Sequence, residues 1–350
     1  MPDVTTSTAG AVPAPSPAPA PAARLTMTQW IAIACGAAGL VFAVIAKALG
    51  DVFFFRLATE ALIFGGLALS VDLLLGRTGL LPLGQALFFG LGAYVSALVL
   101  KHAGLGFWAT MAVAAAASAV AGLVGGLIAI RAKGVYFALI SFGLAQVVSK
   151  IVFNTRELGA SDGLIGVPQP QVLPGVGAAD AAGFFLVVLA FIGAIYGAVT
   201  WLSHTPLGRQ FDAVRTNEHR LGFLGVDAWR VKLAAFVIAA VIAGTSGALY
   251  PMLRGFVSPE LMFFQVSGNA VINVIVGGTG TLIGPLLGSA LLTGLRSVVG
   301  SFTAHHQIVI GVLFVVVVIL MPRGIVGTLV PHLERWRARR RGEALPDDGQ

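Results

Sequence analysis

The chain has 350 residues, 57% of them hydrophobic and only 11% charged, with a mean hydropathy of +0.91. A soluble domain of this size has no interior large enough for that apolar surface, so the chain is read as an integral membrane protein. The net charge of +7 and pI near 10.1 do not point to nucleic acid, because the Lys and Arg residues sit in short loops and one tail rather than on a folded face. The single cysteine, Cys35, lies in an apolar run and offers neither a disulfide framework nor a thiolate metal site.

Residues 1–28 are rich in Ala, Pro, Ser and Thr and nearly uncharged, a composition that builds no core and predicts a disordered cytoplasmic tail. The following apolar run is read as an uncleaved first span rather than a secretory signal, because it is long enough to cross a bilayer and the tail before it is too long for a signal's n-region. Apolar runs then predict spans at roughly 29–49, 57–75, 82–100, 106–130, 134–153, 183–202, 232–252, 262–276, 281–300 and 306–322. The expected fold is therefore an all-α polytopic bundle of about ten helices, with a transmembrane domain over 29–325 and a charged cytoplasmic tail over 326–350. Alternation with Ser203–Lys232 inside assigns 15 Lys/Arg residues to the inner ends and 7 to the outer, which predicts both termini inside.

Ser203–Lys232 is the one long polar interval between apolar runs, and it carries five Lys/Arg residues. Leu207, Phe211, Val214, Leu221 and Leu224 recur at helical intervals and predict an apolar stripe on a cytoplasmic amphipathic helix. Arg209, Asp212, Arg215 and Glu218 fall three apart and are expected to pair along another face. Thr205-Pro206 supplies a cap and a first-turn proline, and Gly225 suits the stop. A helix of this kind lies on lipid or fills a groove in a partner. The interval Asn154–Asp180, punctuated by Gly and Pro, is the longest outer loop.

The chain carries no G-x-x-x-x-G-K-[ST], H-E-x-x-H, C-x-x-C or G-x-S-x-G motif. His305 and His306 are a ligand pair without further partners. Glu60 and Asp72 are twelve residues apart on one span, about 18 Å of helix, and are expected near its ends, solvated or bonded between helices. Gly280, Gly284 and Gly288, and Gly122 with Gly126, make smooth faces for close packing. Gln265, Asn269 and Asn273 repeat every fourth residue, a polar stripe that must face protein or a wet cavity. It serves either interhelical hydrogen bonding or the lining of a translocation path.

Several stretches resemble the permease subunits of branched-chain amino-acid ABC importers, the LivM/LivH type. They are GRTGLLPLGQALFFGLGAYVSALVL (76–100), GVYFALISFGLAQVV (134–148), SDGLIGVP (161–168), the block 205–250 and SPELMFFQVSGNAVINVIVGGTGTLIGPLLG (258–288). The match runs in order through most of residues 57–325. The resemblance implies a permease in a bacterial inner membrane, paired with itself or a paralogue, docked on two cytoplasmic ATPases and served by a periplasmic binding protein. It implies no cofactor in this chain, ATP and Mg being held by the partner ATPases, and hence no enzyme activity of its own. The family's coupling loop has a Glu followed seven residues later by a Gly, matched here by Glu218 and Gly225, with Arg215 and Asn217 also in place. The ATPase-coupling set so implied is Leu207, Arg209, Phe211, Arg215, Asn217, Glu218, Leu221 and Gly225. Gln85 stands where the family usually has His and Gln146 where it has Glu. With Gln265, Asn269 and Asn273 they form the candidate path. Branched-chain amino acids are the expected solutes; urea, amides and aromatic or other carboxylates are the alternative. A stand-alone secondary transporter would need ion-coupling charges at mid-span.

Overall fold

A computed structural model describes residues 52–173, 176–177, 180–302, 306–321 and 324–328, together with 34 and 36–41. The expected N-terminal tail, all but 326–328 of the expected C-terminal tail, most of the expected first span, Cys35 and His305 lie outside the described residues.

The first helix, α1 (Val52–Asp72), continues as a π-helical turn over Leu73–Thr78 and ends at Gly79 in the left-handed region, φ 72°. A short inserted loop leads to α2 (Gln85–Leu98), then α3 (Phe107–Ala129), α4 (Val135–Asn154) and α5 (Ala181–His204). Next come α6 (Pro206–Phe223), α7 (Ala228–Arg254), α8 (Phe264–Gly277), α9 (Gly284–Phe302) and α10 (His306–Leu320). Among the described residues six helical stretches are long and apolar enough to cross a membrane: Val52–Thr78, Gln85–Ala103, Phe107–Ala129, Val135–Asn154, Ala181–His204 and Ala228–Arg254. Each coincides with an expected span.

The last three helices fall where spans were expected but differ in kind. The 14 residues of α8 rise only about 21 Å, short of a hydrocarbon core about 30 Å thick. It starts inside the bundle: Ser258–Phe263 descends as an extended and 3-10 segment, Met262 packs over Gly90, and the Ser267 hydroxyl accepts from the Ala86 backbone N–H at 2.9 Å. Helix α9 carries Thr293 and Arg296 inside its apolar run.

The core lies where α2, α3 and α7 cross. A Cβ on Gly92 would stand 1.9 Å from the Gly244 carbonyl oxygen, and one on Gly247 would stand 1.9 Å from that of Phe89. The two backbones therefore touch directly, as membrane helices do when dispersion rather than hydrophobic collapse holds them. Ser96 adds a hydrogen bond to the Ala248 carbonyl at 2.9 Å. Phe88, Phe137 and Phe236 fill the space beside this crossing edge to face. Part of the expected glycine face packs as expected: a Cβ on Gly122 would press on Ala240 of α7, and one on Gly288 on the Asn273 carbonyl of α8, whereas Gly280 lies in the turn before α9 at φ 77° rather than on its face.

The long loop after α4 folds into a cap. Its strand β1 (Leu164–Ile165) pairs antiparallel with β4 (Phe256–Val257), which follows α7, while β2 (Gln171–Leu173) and β3 (Val176–Gly177) pair with each other. Lys101 at the end of α2 donates to the Ile165 carbonyl at 3.3 Å, and Glu60 pairs with Arg254 below the cap. This end of the bundle lies opposite the end that carries α6.

Candidate functional site

Helix α6 begins as its local sequence dictates. The Thr205 hydroxyl accepts from the Gly208 N–H at 3.4 Å, and Pro206 takes the first turn, where a missing N–H costs nothing. Its end also follows the sequence: Gly225 has φ 73°. Between them the helix breaks. Asn217 is extended at φ −163° and ψ 101°, and its side-chain oxygen accepts from the N–H groups of His219 at 3.1 Å and Arg220 at 3.3 Å. Asn217 thus caps a second short helical segment that turns away from the first.

The expected apolar stripe forms, but it faces inward. Phe211, Val214 and Leu221 are buried in the bundle's own core, with Leu207 half-buried against it. The expectation that this stripe fills a partner's groove is therefore corrected: an amphipathic helix at the end of a bundle covers the nearest apolar surface, which is its own. What stays exposed is Phe223 and Leu224, 91% and 77% accessible, held out on the turn before Gly225. Gly222 and Arg220 beside them are exposed too, as is Arg209 on the first segment.

The expected pairing among Arg209, Asp212, Arg215 and Glu218 does not occur. Asp212 pairs with Arg77 at 3.3 Å, Arg215 donates to the Gly76 carbonyl, and Glu218 binds Lys232 at 2.8 Å and Lys133 at 4.0 Å. Asp212 and Arg215 both reach the end of α1 at Arg77 and Gly76, and Glu218 reaches α7 and the turn before α4, because better-placed and less solvated partners lie there than along the helix surface. Lys232, only 5% exposed, is the strongest of these. Burial acts to raise the Glu218 pKa, but the hydrogen bond and charge of Lys232, with Lys133 and His219 adding, hold the carboxyl below its ordinary value.

Beneath this layer sits Asp72, fully buried. Its two carboxylate oxygens accept from the backbone N–H groups of Gly280 at 2.6 Å and Leu282 at 3.1 Å. The carboxylate thereby pins the α8–α9 turn to α1, an interhelical role among those the sequence left open. A Cβ on Gly76 would strike the Gly280 backbone at 2.6 Å, and Arg215 lies over the same spot. So α6, the end of α1 and the α8–α9 turn meet at one node.

The path candidates do not converge. Asn269 and Asn273 line one small cavity of about 70 Å³ between α8 and α9, and Gln265 is exposed one turn away on the same face. Gln85 is on the other side of α8, at the start of α2, fully buried with both amide atoms unpartnered. Gln146 lines an open groove on α4 with Lys150 and Asn154. A larger cavity of about 420 Å³, between α1, α5 and α9, is walled almost wholly by apolar residues such as Leu57, Ile192 and Leu286. Sequence reasoning missed Arg77, Lys133 and Lys232 as partners of α6, and Arg296 and Thr293 as neighbours of the asparagine stripe. The available signal was a charged or polar residue inside, or at the edge of, an apolar run.

Apolar helices alternating between two charged ends, with one amphipathic helix locked across one of those ends, define a multi-pass membrane protein. The family described as branched-chain amino acid transport system / permease component matches residues 53–318. Over 310 residues the chain is 31% identical to the high-affinity branched-chain amino acid transport system permease protein LivM of Salmonella typhimurium, covering 82% of this chain and 73% of that one. It is 30% identical to LivM of Escherichia coli with the same coverage, and 21% identical to LivH of Salmonella typhimurium over 77% of this chain and 92% of that one. No solved structure matches. The chain belongs to the branched-chain amino acid transport permease family.

Proposed function

We propose that the protein is one permease subunit of an ATP-binding cassette importer in a bacterial inner membrane, moving branched-chain or related hydrophobic amino acids. A second permease, paralogue or self, completes the path. Two cytoplasmic ATPases bind ATP and Mg and drive the cycle, and a periplasmic binding protein delivers the solute to the capped end. The relatives' names supply the solute class, and the absence of a P-loop in the sequence fits an energy source in another subunit.

The observation that carries the coupling role is the exposed pair Phe223 and Leu224, on a helix otherwise clamped to the bundle. Water leaves two large apolar side chains uncovered at a cost that a partner's groove removes. In this reading Phe223 and Leu224 enter the ATPase, Arg209, Arg220 and Asn217 border the contact, and the buried Phe211, Val214 and Leu221 carry the motion inward. The topology supports both termini in the cytoplasm. The segments next to α6 carry Arg77, Lys133 and Lys232, Gly324 after α10 returns to Gly278 at the same end, and the further span expected over 29–49 would bring the N-terminus there.

Co-purification with the cognate ATPases tests this. Phe223→Asp with Leu224→Asp should abolish association while the permease pair stays intact. Association at the wild-type level in that double variant would refute docking at this turn.

A further inference from the structure

Helices α8 and α9 each carry a polar row, and the two rows face each other. On α9, Ser289, Thr293 and Arg296 recur at intervals of four and three, so they share a face. On α8 the row is Asn269 and Asn273. The lower rungs are used for packing: the Ser289 hydroxyl donates to the Ala61 carbonyl at 2.8 Å. The upper rungs are not. Asn269, Asn273, Thr293 and Arg296 surround the cavity of about 70 Å³, with Phe64, Val266 and Leu292 as its apolar wall. None of the five ion pairs among the described residues includes Arg296. No carboxylate lines the cavity either.

Arg296 stands exposed on the bundle beside this cavity, and within a bilayer a guanidinium partway along a helix, with no counter-charge among the described residues, is expensive unless it serves a ligand or a wet path. The other polar groups here can all donate hydrogen bonds, two side-chain amides and a hydroxyl, so the lining suits an anion. A planar fork of N–H donors matches a carboxylate in particular. The space exceeds the roughly 10–15 Å³ needed for one water and admits a carboxylate group beside an apolar wall suited to a hydrocarbon side chain.

We propose that this cavity is a solute subsite in which Arg296, assisted by Asn269, Asn273 and Thr293, holds the carboxylate of the amino acid in transit. The assignment rests on the importer reading above and deepens it. Arg296 supplies the charge, the two asparagines and the threonine orient the carboxylate, and Phe64 and Leu292 flank the aliphatic part. The same chemistry would hold a lipid phosphate, so the test separates the two.

Two measurements are made on the purified complex of both permeases and both ATPases. The first is equilibrium binding of radiolabelled leucine without the binding protein, competed by 4-methylpentanoate (carboxylate without amine) and by isopentylamine (amine without carboxylate). The second is leucine uptake in vesicles of phosphatidylcholine, with and without phosphatidylglycerol. The acid should compete and the amine should not. Arg296→Gln should weaken binding and raise the half-saturating concentration for uptake about tenfold or more, with assembly unchanged. Arg296→Lys should retain most of the binding. Asn269→Asp, which puts a competing carboxylate in the cavity, should fail as Arg296→Gln does. Binding unchanged in Arg296→Gln, or competition by the amine alone, overturns the subsite. So does an Arg296→Gln defect that appears only with phosphatidylglycerol, which assigns the cavity to a lipid phosphate. Carboxylate binding that depends on Arg296 without any ATP-dependent uptake would leave the subsite standing and sink the importer reading.

Discussion

Asp72 and Glu218 show two ways in which a carboxylate organises the α6 end. Asp72 is buried and serves two backbone N–H groups of a turn in which Gly280 and Leu282 both have positive φ, 77° and 61°. Such a turn needs its donors satisfied, since an unpaired buried N–H costs as much as a lost hydrogen bond. Asp72→Ala should destabilise the protein by about 2–4 kcal/mol, read as a lower melting temperature in detergent, and Asp72→Asn, which keeps one acceptor, by less. Glu218 titrates below its ordinary value, so its contribution is present above the ordinary carboxylate range and disappears as pH falls through the lowered value. The protection of Glu218–Phe223 amides, relative to their intrinsic exchange rate at each pH, should therefore fall below about pH 4.5 in the wild type, and Glu218→Gln should show the reduced protection already at neutral pH. The apolar row and the caps of α6 were legible in the sequence because they are local. The partners of Asp212 and Glu218 were not: Arg77 lies 135 residues from Asp212, and no periodicity connects them.

At the scale of the element, α6 reads in sequence as one helix and folds as two segments. Asn217 and Glu218 are compatible with a helix, and the break at Asn217 goes with tertiary contacts that follow it, the Glu218 pair with Lys232 and the buried Leu221. The asparagine then earns a cap position rather than an interior one, where its side chain would compete with the helix backbone. Asn217→Ala should cost about 1 kcal/mol, seen as selective loss of amide protection at His219 and Arg220 while Pro206–Thr216 keeps its protection. Helix α8 gives the matching lesson. Its polar stripe was visible at four-residue spacing, but its shortness was not, because the run 262–276 is apolar enough to look like a span. The descent of Ser258–Phe263 into the bundle depends on Gly90 leaving room for Met262, a contact far outside any local window.

For the whole molecule, the direct crossing of α2 and α7 is the frame on which both ends hang. Gly92→Val would place branched carbons against the Gly244 carbonyl and push the helices apart. Overpacking of this kind costs about 1–3 kcal/mol where the core can shift, and more here, where backbone meets backbone. The expected result is little or no monodisperse protein on size-exclusion chromatography, whereas Gly143→Ala, with open space at its Cβ, should behave as the wild type. Most of the helix order was legible because long apolar runs admit few structures in lipid. The meeting of α6, the end of α1 and the α8–α9 turn was not, and in the proposed importer it is the route by which movement of α6 reaches α8 and α9. In the proposed importer an external ATPase drives this bundle through the Phe223–Leu224 turn. The direct test is leucine uptake into proteoliposomes holding the full complex and binding protein, with ATP or a non-hydrolysable analogue inside. Uptake is expected with ATP alone and is expected to be lost in the Phe223→Asp, Leu224→Asp variant. Equal uptake with the analogue, or with that variant, would contradict it.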